Sequence, residues 1–315
     1  MRSIVMLAMT FLVACTKAAP PELDTPASPG DQVFLNHVYT VLDSETFEAI
    51  RHEPFVSDGF AATESQTTQS DGSSWTGFYL YGDVSYLELF EPEGAGEAVG
   101  DSGIGFGVET PGAIDRLATR AQADGYVIEV DDSTAEVDGE QIPWFRSAEV
   151  KGATAASPLS EWVMEYQPEY MTYGLGLAPT EPVDISRRTY LSSKFRVGQL
   201  MQRLRSVRLA MPPEDREAFA VAALLYGWTV RRDGEAIVAD GPEATTIEIV
   251  GDSEKHGLVE LTIGLARKPE AQREIQIGHS TLIIGPDERC GGWSDSQTKD
   301  RRDAALMVSK GITQQ

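Results

Sequence analysis

An α+β fold assembled from repeated strand–helix–strand–strand–strand (βαβββ) units is what this chain predicts, on three observations. The stretch from Asn36 to Pro92 alternates and punctuates in that order, with turn signals at Asp71-Gly72 and Gly82-Asp83. The same order recurs from Gly100 and again from Arg203. The composition, 315 residues of which 41% are hydrophobic, supplies enough apolar side chains for one large core or two modest ones.

At the amino terminus, Arg2 precedes an apolar run from Ile4 to Ala14 that is too short to span a bilayer. The run ends in Leu12-Val13-Ala14-Cys15, which resembles the bacterial lipobox. That resemblance implies cleavage before Cys15, acylation of Cys15, and a lipid anchor at the outer side of a bacterial membrane within the cell envelope. An ordinary secretory signal with a chance cysteine is the alternative. Residues 1–15 are therefore expected to be a signal peptide, and the proline- and alanine-rich stretch 16–31 a tether. With Cys15 acylated, Cys290 is left as the remaining thiol, so no intramolecular disulfide forms. Cys290 is then either a packed small side chain or a reactive thiol.

The first unit opens with Asn36 to Leu42 as a strand and Asp43-Ser44-Glu45 as a helix cap ahead of Thr46 to Ile50. Extended runs follow at Ala61–Gln69, Trp75–Tyr81 and Ser85–Phe90. The second unit takes Gly100–Val108 as a strand and Thr110-Pro111-Gly112 as the lead into the helix Ala113–Ala118. Its later strands are Tyr126–Val130, Ile142–Val150 and Trp162–Gln167. The third unit has the strand Leu204–Met211, a helix started by Pro212-Pro213, and strands at Thr229–Arg232, Glu235–Ala239 and Thr246–Val250. Leu258–Ala266 and Glu274–Ile284 read as a hairpin joined by the polar turn Arg267–Arg273. The paired units are assigned to residues 32–184, the third unit with its hairpin to 185–293, and 294–315 to a polar tail, weakly helical around Asp303–Ser309.

Alternation within the strands marks out a hollow. Val38, Thr40 and Leu42 share one face of the first strand, and His37, Tyr39 and Val41 share the other. In the last strand of the unit, Leu87 and Leu89 are the core residues, which leaves Tyr86, Glu88 and Phe90 opposite. An imidazole and a carboxylate within an aromatic wall describe a small-molecule pocket. Gly103, Gly105 and Gly107 alternate, so one face of their strand lacks side chains and something approaches it closely: a ligand, a neighbouring strand or a ring. From Ile185 to Pro213 there are seven basic residues and no acid. Arg208 falls at the position of Tyr39, where its guanidinium clamps a carboxylate or phosphate, or else these cations pair with surrounding acids or with anionic lipid.

Asn36-His37-Val38-Tyr39, Tyr86-Leu87-Glu88-Leu89-Phe90 and Asp101 to Phe106 resemble the glyoxalase-like, or vicinal oxygen chelate, superfamily, as does Ser280 to Asp287. The resemblance implies curved mixed sheets, half-barrels with helices on their outer faces. It implies one metal ligand from the first and last strand of each unit. Carried over by position, His37, Glu88 and Glu165 match ligands of a divalent ion such as Zn, Mn, Fe or Ni, while the fourth position falls on Gly103, which has no donor. His37 as an imidazole hydrogen-bonded within its sheet is the alternative to His37 as a ligand.

A formal charge of −23 repels phosphate backbones and argues against nucleic acid as a partner. Phosphate-cradling glycine loops, a Gly-x-Ser-x-Gly elbow, a Cys-x-x-Cys pair and a His-Glu-x-x-His helix are missing from the sequence. Three functions follow. One is a membrane-tethered protein that binds a small aromatic or anionic molecule through Tyr39, Tyr86, Phe90, Gly103, Gly105 and Arg208 without chemistry. Another is a metal-dependent lyase, isomerase or dioxygenase using His37, Glu88 and Glu165. The third is a structural envelope protein.

Overall fold

The computed structural model describes residues 31–70, 73–92, 98–151, 157–178, 180, 182–251, 255–285 and 290–295. Cys15, the tether up to residue 30 and the tail beyond residue 295 lie outside the described residues, so the structure bears on none of the expectations for them.

The chain forms two eight-stranded sheets with the same strand order. The first holds β1 (Val33–Val41), β2 (Ala62–Ser70), β3 (Ser73–Tyr81), β4 (Tyr86–Phe90), β5 (Ser102–Val108), β6 (Ile128–Val137), β7 (Glu140–Val150) and β8 (Leu159–Tyr166). Its spatial order is β2-β3-β4-β1-β5-β8-β7-β6. The second holds β9 (Met201–Met211), β10 (Thr229–Asp233), β11 (Ala236–Gly241), β12 (Thr245–Gly251), β13 (Gly257–Leu265), β14 (Arg273–Ile277), β15 (Ser280–Ile284) and β16 (Cys290–Asp295). Its order, β10-β11-β12-β9-β13-β16-β15-β14, repeats the first. Each sheet is mixed: β1 runs parallel to β4 and antiparallel to β5, and β9 is parallel to β12 and antiparallel to β13. This is the α+β arrangement of curved mixed βαβββ sheets expected from the sequence.

The helices explain themselves locally. In α1 (Ser44–His52), the Asp43 side chain caps the first turn by accepting from Thr46 N at 3.0 Å, and Phe47 and Ile50 are buried. In α2 (Ala113–Ala123), Ala113, Ile114, Leu117 and Ala121 form the buried stripe. A short helix, α3 (Arg187–Leu191), lies in the connector between the sheets, and α4 (Pro213–Leu225) starts with proline where a missing N–H costs nothing.

One continuous apolar core joins the two sheets and three of the helices. It runs from Val38, Leu89, Ile104, Phe106 and Val163 of the first sheet to Val207, Ile247 and Leu261 of the second. Phe106 packs edge-on against Tyr226 and Trp228 at centroid separations of 5.2 Å, and Trp228 Nε1 donates to Val33 O at 2.8 Å. α1, α2 and α4 thus pack on the core face of the sheets, and the opposite face of the first sheet, where α3 packs, is left for the hollow.

The carboxyl-terminal expectation needs correction. β13 and β14 are not a hairpin, because β14 lies at the far edge of its sheet, three places from β13. The hairpin is β14–β15, which Gly278 turns at φ +57°, with space for no side chain: a Cβ there would stand 2.6 Å from Thr46 Cα. β13 to β16 take the place of a fourth unit, but residues 266–272 replace the helix and β16 runs antiparallel to β13, whereas β8 runs parallel to β5. Ser294 and Asp295, expected in the tail, belong to β16.

Candidate functional site

The site is built on β1, which is irregular. Its register against β5 shifts between Leu35 and His37, a bulge at Asn36. Leu35 and Val38 accordingly both join the core, while Asn36 and His37 both turn to the glycine face of β5. Along that face each missing side chain is filled. A Cβ at Gly103 would come within 2.0 Å of the Tyr39 ring, and one at Gly105 within 2.2 Å of the His37 ring. Gly107 faces the Asn36 amide and the Arg187 stem. Gly103 and Gly105 are thus packing positions for the protein's own rings and leave no opening for a ligand, contrary to their expected place among ligand-binding residues.

His37 is buried, stacked on Tyr86 at 4.7 Å and meeting Trp162 edge-on at 5.2 Å. Burial pushes its pKa down to about 3, so the imidazole is neutral, and its Nδ1 has no hydrogen-bond partner. Glu88 stands beside Tyr39 and Tyr79 in the strand register and hydrogen-bonds the Tyr86 hydroxyl. Burial among these rings raises its carboxyl to about 8. Tyr166 accepts from Asn36 Nδ2 at 3.0 Å and stacks on Tyr190 at 3.8 Å. Burial holds the hydroxyls of Tyr81, Tyr86, Tyr166 and Tyr190 above the usual tyrosine range, so all four are neutral donors.

These groups surround a cavity of about 490 Å³. Its lining includes His37, Tyr79, Tyr81, Tyr86 and Glu88 from the first unit, and Trp144, Phe145, Trp162 and Met164 from the second. Gln66 of β2, and Tyr170, Gly174, Leu175, Tyr190, Ser193 and Lys194 from the chain that follows β8, complete it. Lys194 Nζ pairs with Glu64 Oε2 at 2.5 Å and lies 5.9 Å from the Tyr81 ring centroid. Tyr39 and Phe90 pack together next to this wall, with centroids 5.9 Å apart.

Glu165 is elsewhere. The residues of β8 that share the cavity face are Trp162 and Met164, with Trp162 opposite Gly105 in register. Glu165 points to the helix side, where its carboxylate accepts Gly112 N–H at 2.7 Å and Ile114 N–H at 3.0 Å and caps α2. Arg208 is also elsewhere: it lies in β9 of the second sheet, exposed, with Nε 3.2 Å from Glu248 Oε2. It clamps an internal carboxylate and does not line the cavity.

The donors do not fit a divalent ion in the cavity. One neutral imidazole and one carboxyl are present, Gly103 at the expected fourth position has no donor, and β8 turns Trp162 and Met164 to the cavity in place of Glu165. Among the described residues, Asp43, Glu45 and His279 form the one group of three ligand-type side chains close enough to share an ion. There Asp43 is occupied as the α1 cap, and His279 meets Thr46 Oγ1 at 3.2 Å.

The sequence reading missed Tyr79, Tyr81, Trp144, Trp162, Tyr166, Tyr190 and Lys194. A signal was present for three of them: Tyr79 and Tyr81 alternate in β3, and Trp162 alternates with Met164 in β8. The model of a family of unknown function, DUF5829, matches residues 35–293, which is most of the chain. The chain belongs to the DUF5829 family. No curated protein matches this DUF5829 chain.

Solved structures similar to the DUF5829 chain include homoprotocatechuate 2,3-dioxygenase from Brevibacterium fuscum, complexed with 3,4-dihydroxyphenylacetate. That match has 15% identity over 73% of this chain, with a TM-score of 0.36, and it spans 64% of the dioxygenase's length. The Arthrobacter globiformis enzyme of the same name matches at 14% identity over 84% of this chain and 80% of its own, TM-score 0.39. A xylose isomerase-like TIM barrel/4-hydroxyphenylpyruvate dioxygenase fusion protein matches at 11% identity over 77% of this chain and 38% of its own, TM-score 0.41. At these identities and scores, nothing of their chemistry transfers to particular residues of the DUF5829 chain.

Proposed function

We propose that this chain binds a small, largely apolar molecule in the cavity of its first sheet, without transforming it. The observation that supports this reading is the wall itself. Aromatic rings line a volume of ligand size, about 490 Å³, beside the polar side chains of His37, Gln66, Glu88, Ser193 and Lys194. An anionic ligand, allowed by the sequence, has little to meet there. His37 is neutral, and Lys194 is held by Glu64. Anchoring through a lipid at Cys15 belongs to the same proposal and places the cavity on the outer side of a bacterial membrane, in the cell envelope. Acyl labelling checks it: label and membrane association retained by Cys15→Ser would refute the anchor.

A second reading, a divalent-metal lyase, isomerase or dioxygenase, is favoured by one observation: His37 and Glu88 line the same cavity. It lacks further donors. Two measurements on the purified full chain separate the readings. Intrinsic tryptophan fluorescence follows binding, because Trp144 and Trp162 line the cavity, and elemental analysis follows metal. Saturable quenching by small aromatic molecules with no bound metal is expected. Stoichiometric Zn, Mn, Fe or Ni that disappears in His37→Ala would overturn the binding reading in favour of the enzyme.

A further inference from the structure

The cavity has a chemical bias beyond being apolar. Tyrosine and tryptophan rings dominate its lining, and among the described residues no lysine or arginine pairs with the acid that enters it, Glu88. Aromatic faces carry negative potential and attract cations, most strongly where water is excluded. The mouth already shows this chemistry at work. There the Lys194 ammonium rests between the Glu64 carboxylate, 2.5 Å away, and the Tyr81 ring, 5.9 Å from its centroid, while Tyr81 Oη donates to the same carboxylate at 3.1 Å. Further along the wall, Glu88 and Tyr86 repeat the pairing of a carboxyl with an aromatic side chain, and among the described residues no ammonium or guanidinium pairs with Glu88. The formal charge of −23 adds a field that concentrates cations near the surface.

We propose that the cavity takes a small organic cation, an ammonium group carried on an apolar body, with the charge set beside Glu88 among the tyrosine rings. This rests on the binding reading above and names its ligand class. The body of the ligand lies against Trp162, Met164 and Phe145, and the Glu64–Lys194 pair stands at the entrance. A trimethylammonium head needs no hydrogen-bond acceptor of its own, which suits a wall whose polar atoms are mostly phenol hydroxyls.

Three probes of matched shape test it on the full chain at about pH 9, above the value of about 8 to which burial raises the Glu88 carboxyl: benzyltrimethylammonium, its uncharged isostere neopentylbenzene, and benzylsulfonate. Binding is followed by tryptophan fluorescence and by calorimetry. The cation is expected to saturate one site and to bind at least about tenfold more tightly than the neutral isostere, with the anion weakest, as one cation–π contact plus a desolvated carboxylate implies. In Glu88→Gln the cation's advantage should fall to about threefold or less while neopentylbenzene binds as before. Neopentylbenzene or benzylsulfonate binding as tightly as the cation would overturn the cation inference and leave the binding reading standing. A preference for the cation that survives intact in Glu88→Gln would overturn the assignment to Glu88. Failure of all three probes to bind would remove the binding reading together with the inference.

Discussion

Gly105→Ala is the sharpest perturbation of the site, since it tests whether the glycine strip exists to seat rings. The backbone at Gly105 does not take a positive φ, so alanine is conformationally tolerated there, and replacing glycine gains about 0.4–1 kcal/mol through the unfolded chain. Against this stands the new methyl group, 2.2 Å from His37 Cε1, 2.6 Å from Nδ1 and 2.7 Å from Nε2. Ordinary contact would require the ring to retreat by more than an ångström. Tyr86 stacked on one side and Trp162 edge-on at another block that retreat. Overpacking of a confined site costs about 1–3 kcal/mol, and the upper end applies here. The net loss expected is thus about 2 kcal/mol. In a His37→Ala background the clash is gone, and Gly105→Ala should be neutral or stabilising by up to about 1 kcal/mol. The double-mutant cycle, read from urea unfolding of the full chain, should return a coupling of about 2–3 kcal/mol. Equal costs for Gly105→Ala in both backgrounds would refute the packing account and return the strip to ligand contact.

Two further outcomes follow from polar groups near the sheets. Glu165→Ala strips the acceptor from two N–H groups at the start of α2 and should cost about 2–3 kcal/mol in urea unfolding, with Glu165→Gln intermediate; a change in metal content instead would restore Glu165 as a ligand. Stability should also fall as pH rises. Burial raises the carboxyls of Glu88 and of Glu161, the latter bonded to Tyr226, to about 8, whereas unfolded glutamate titrates near 4.3. Between those values the native state binds more protons than the unfolded state, so stabilisation present below about pH 4 is lost progressively up to about pH 8. The loss should amount to a few kcal/mol in urea midpoints between pH 5 and pH 9, reduced in Glu161→Gln; stability flat or rising over that range would contradict it.

Much of the first sheet could be read from alternation. Beyond the bulge in β1, and in β4, the residues alternate, so His37, Tyr86 and Glu88 of the cavity wall were legible in the sequence. Tyr39 and Phe90, expected to bind the ligand with them, pack on each other and do not line the cavity. β8 was not, although its pattern is as regular, because alternation gives two faces without saying which one is inside. Trp162 and Met164 on one side and Glu161 and Glu165 on the other are equally periodic, and only the register Gly105↔Trp162 decides between them. The bulge at Asn36 is likewise a property of pairing between strands far apart in sequence. Tyr190 and Lys194 reach the cavity from an irregular connector, where no periodicity reports position. The fourth unit escaped notice because residues 266–272 offer no helical pattern to announce it.

The two sheets share a strand order, yet among the described residues this cavity lies on the first, and their registers give a physical reason. His37 lies beside Tyr86 and Gly105; Ser206, at the same place in β9, lies beside Thr246 and Thr262. Tyr39 lies between Glu88 and Gly103; Arg208 lies between Glu248 and Glu260. Where the central strand carries rings, its neighbour carries glycine to make room; where it carries serine and arginine, its neighbour carries threonine and glutamate. In the second sheet the carboxylate at the place of Glu88 is answered by an arginine of the chain itself, 3.2 Å away at Nε. In the first it is enclosed by phenols. The repeated strand order thus carries one surface whose charges are settled internally and one whose carboxyl is enclosed by rings and bonded to Tyr86. Installing Arg at Tyr39 would fill the first hollow with the second sheet's solution. Tyr39→Arg should abolish ligand binding while Arg208→Tyr leaves it unchanged, and binding that survives in Tyr39→Arg would show that the ligand does not reach Glu88.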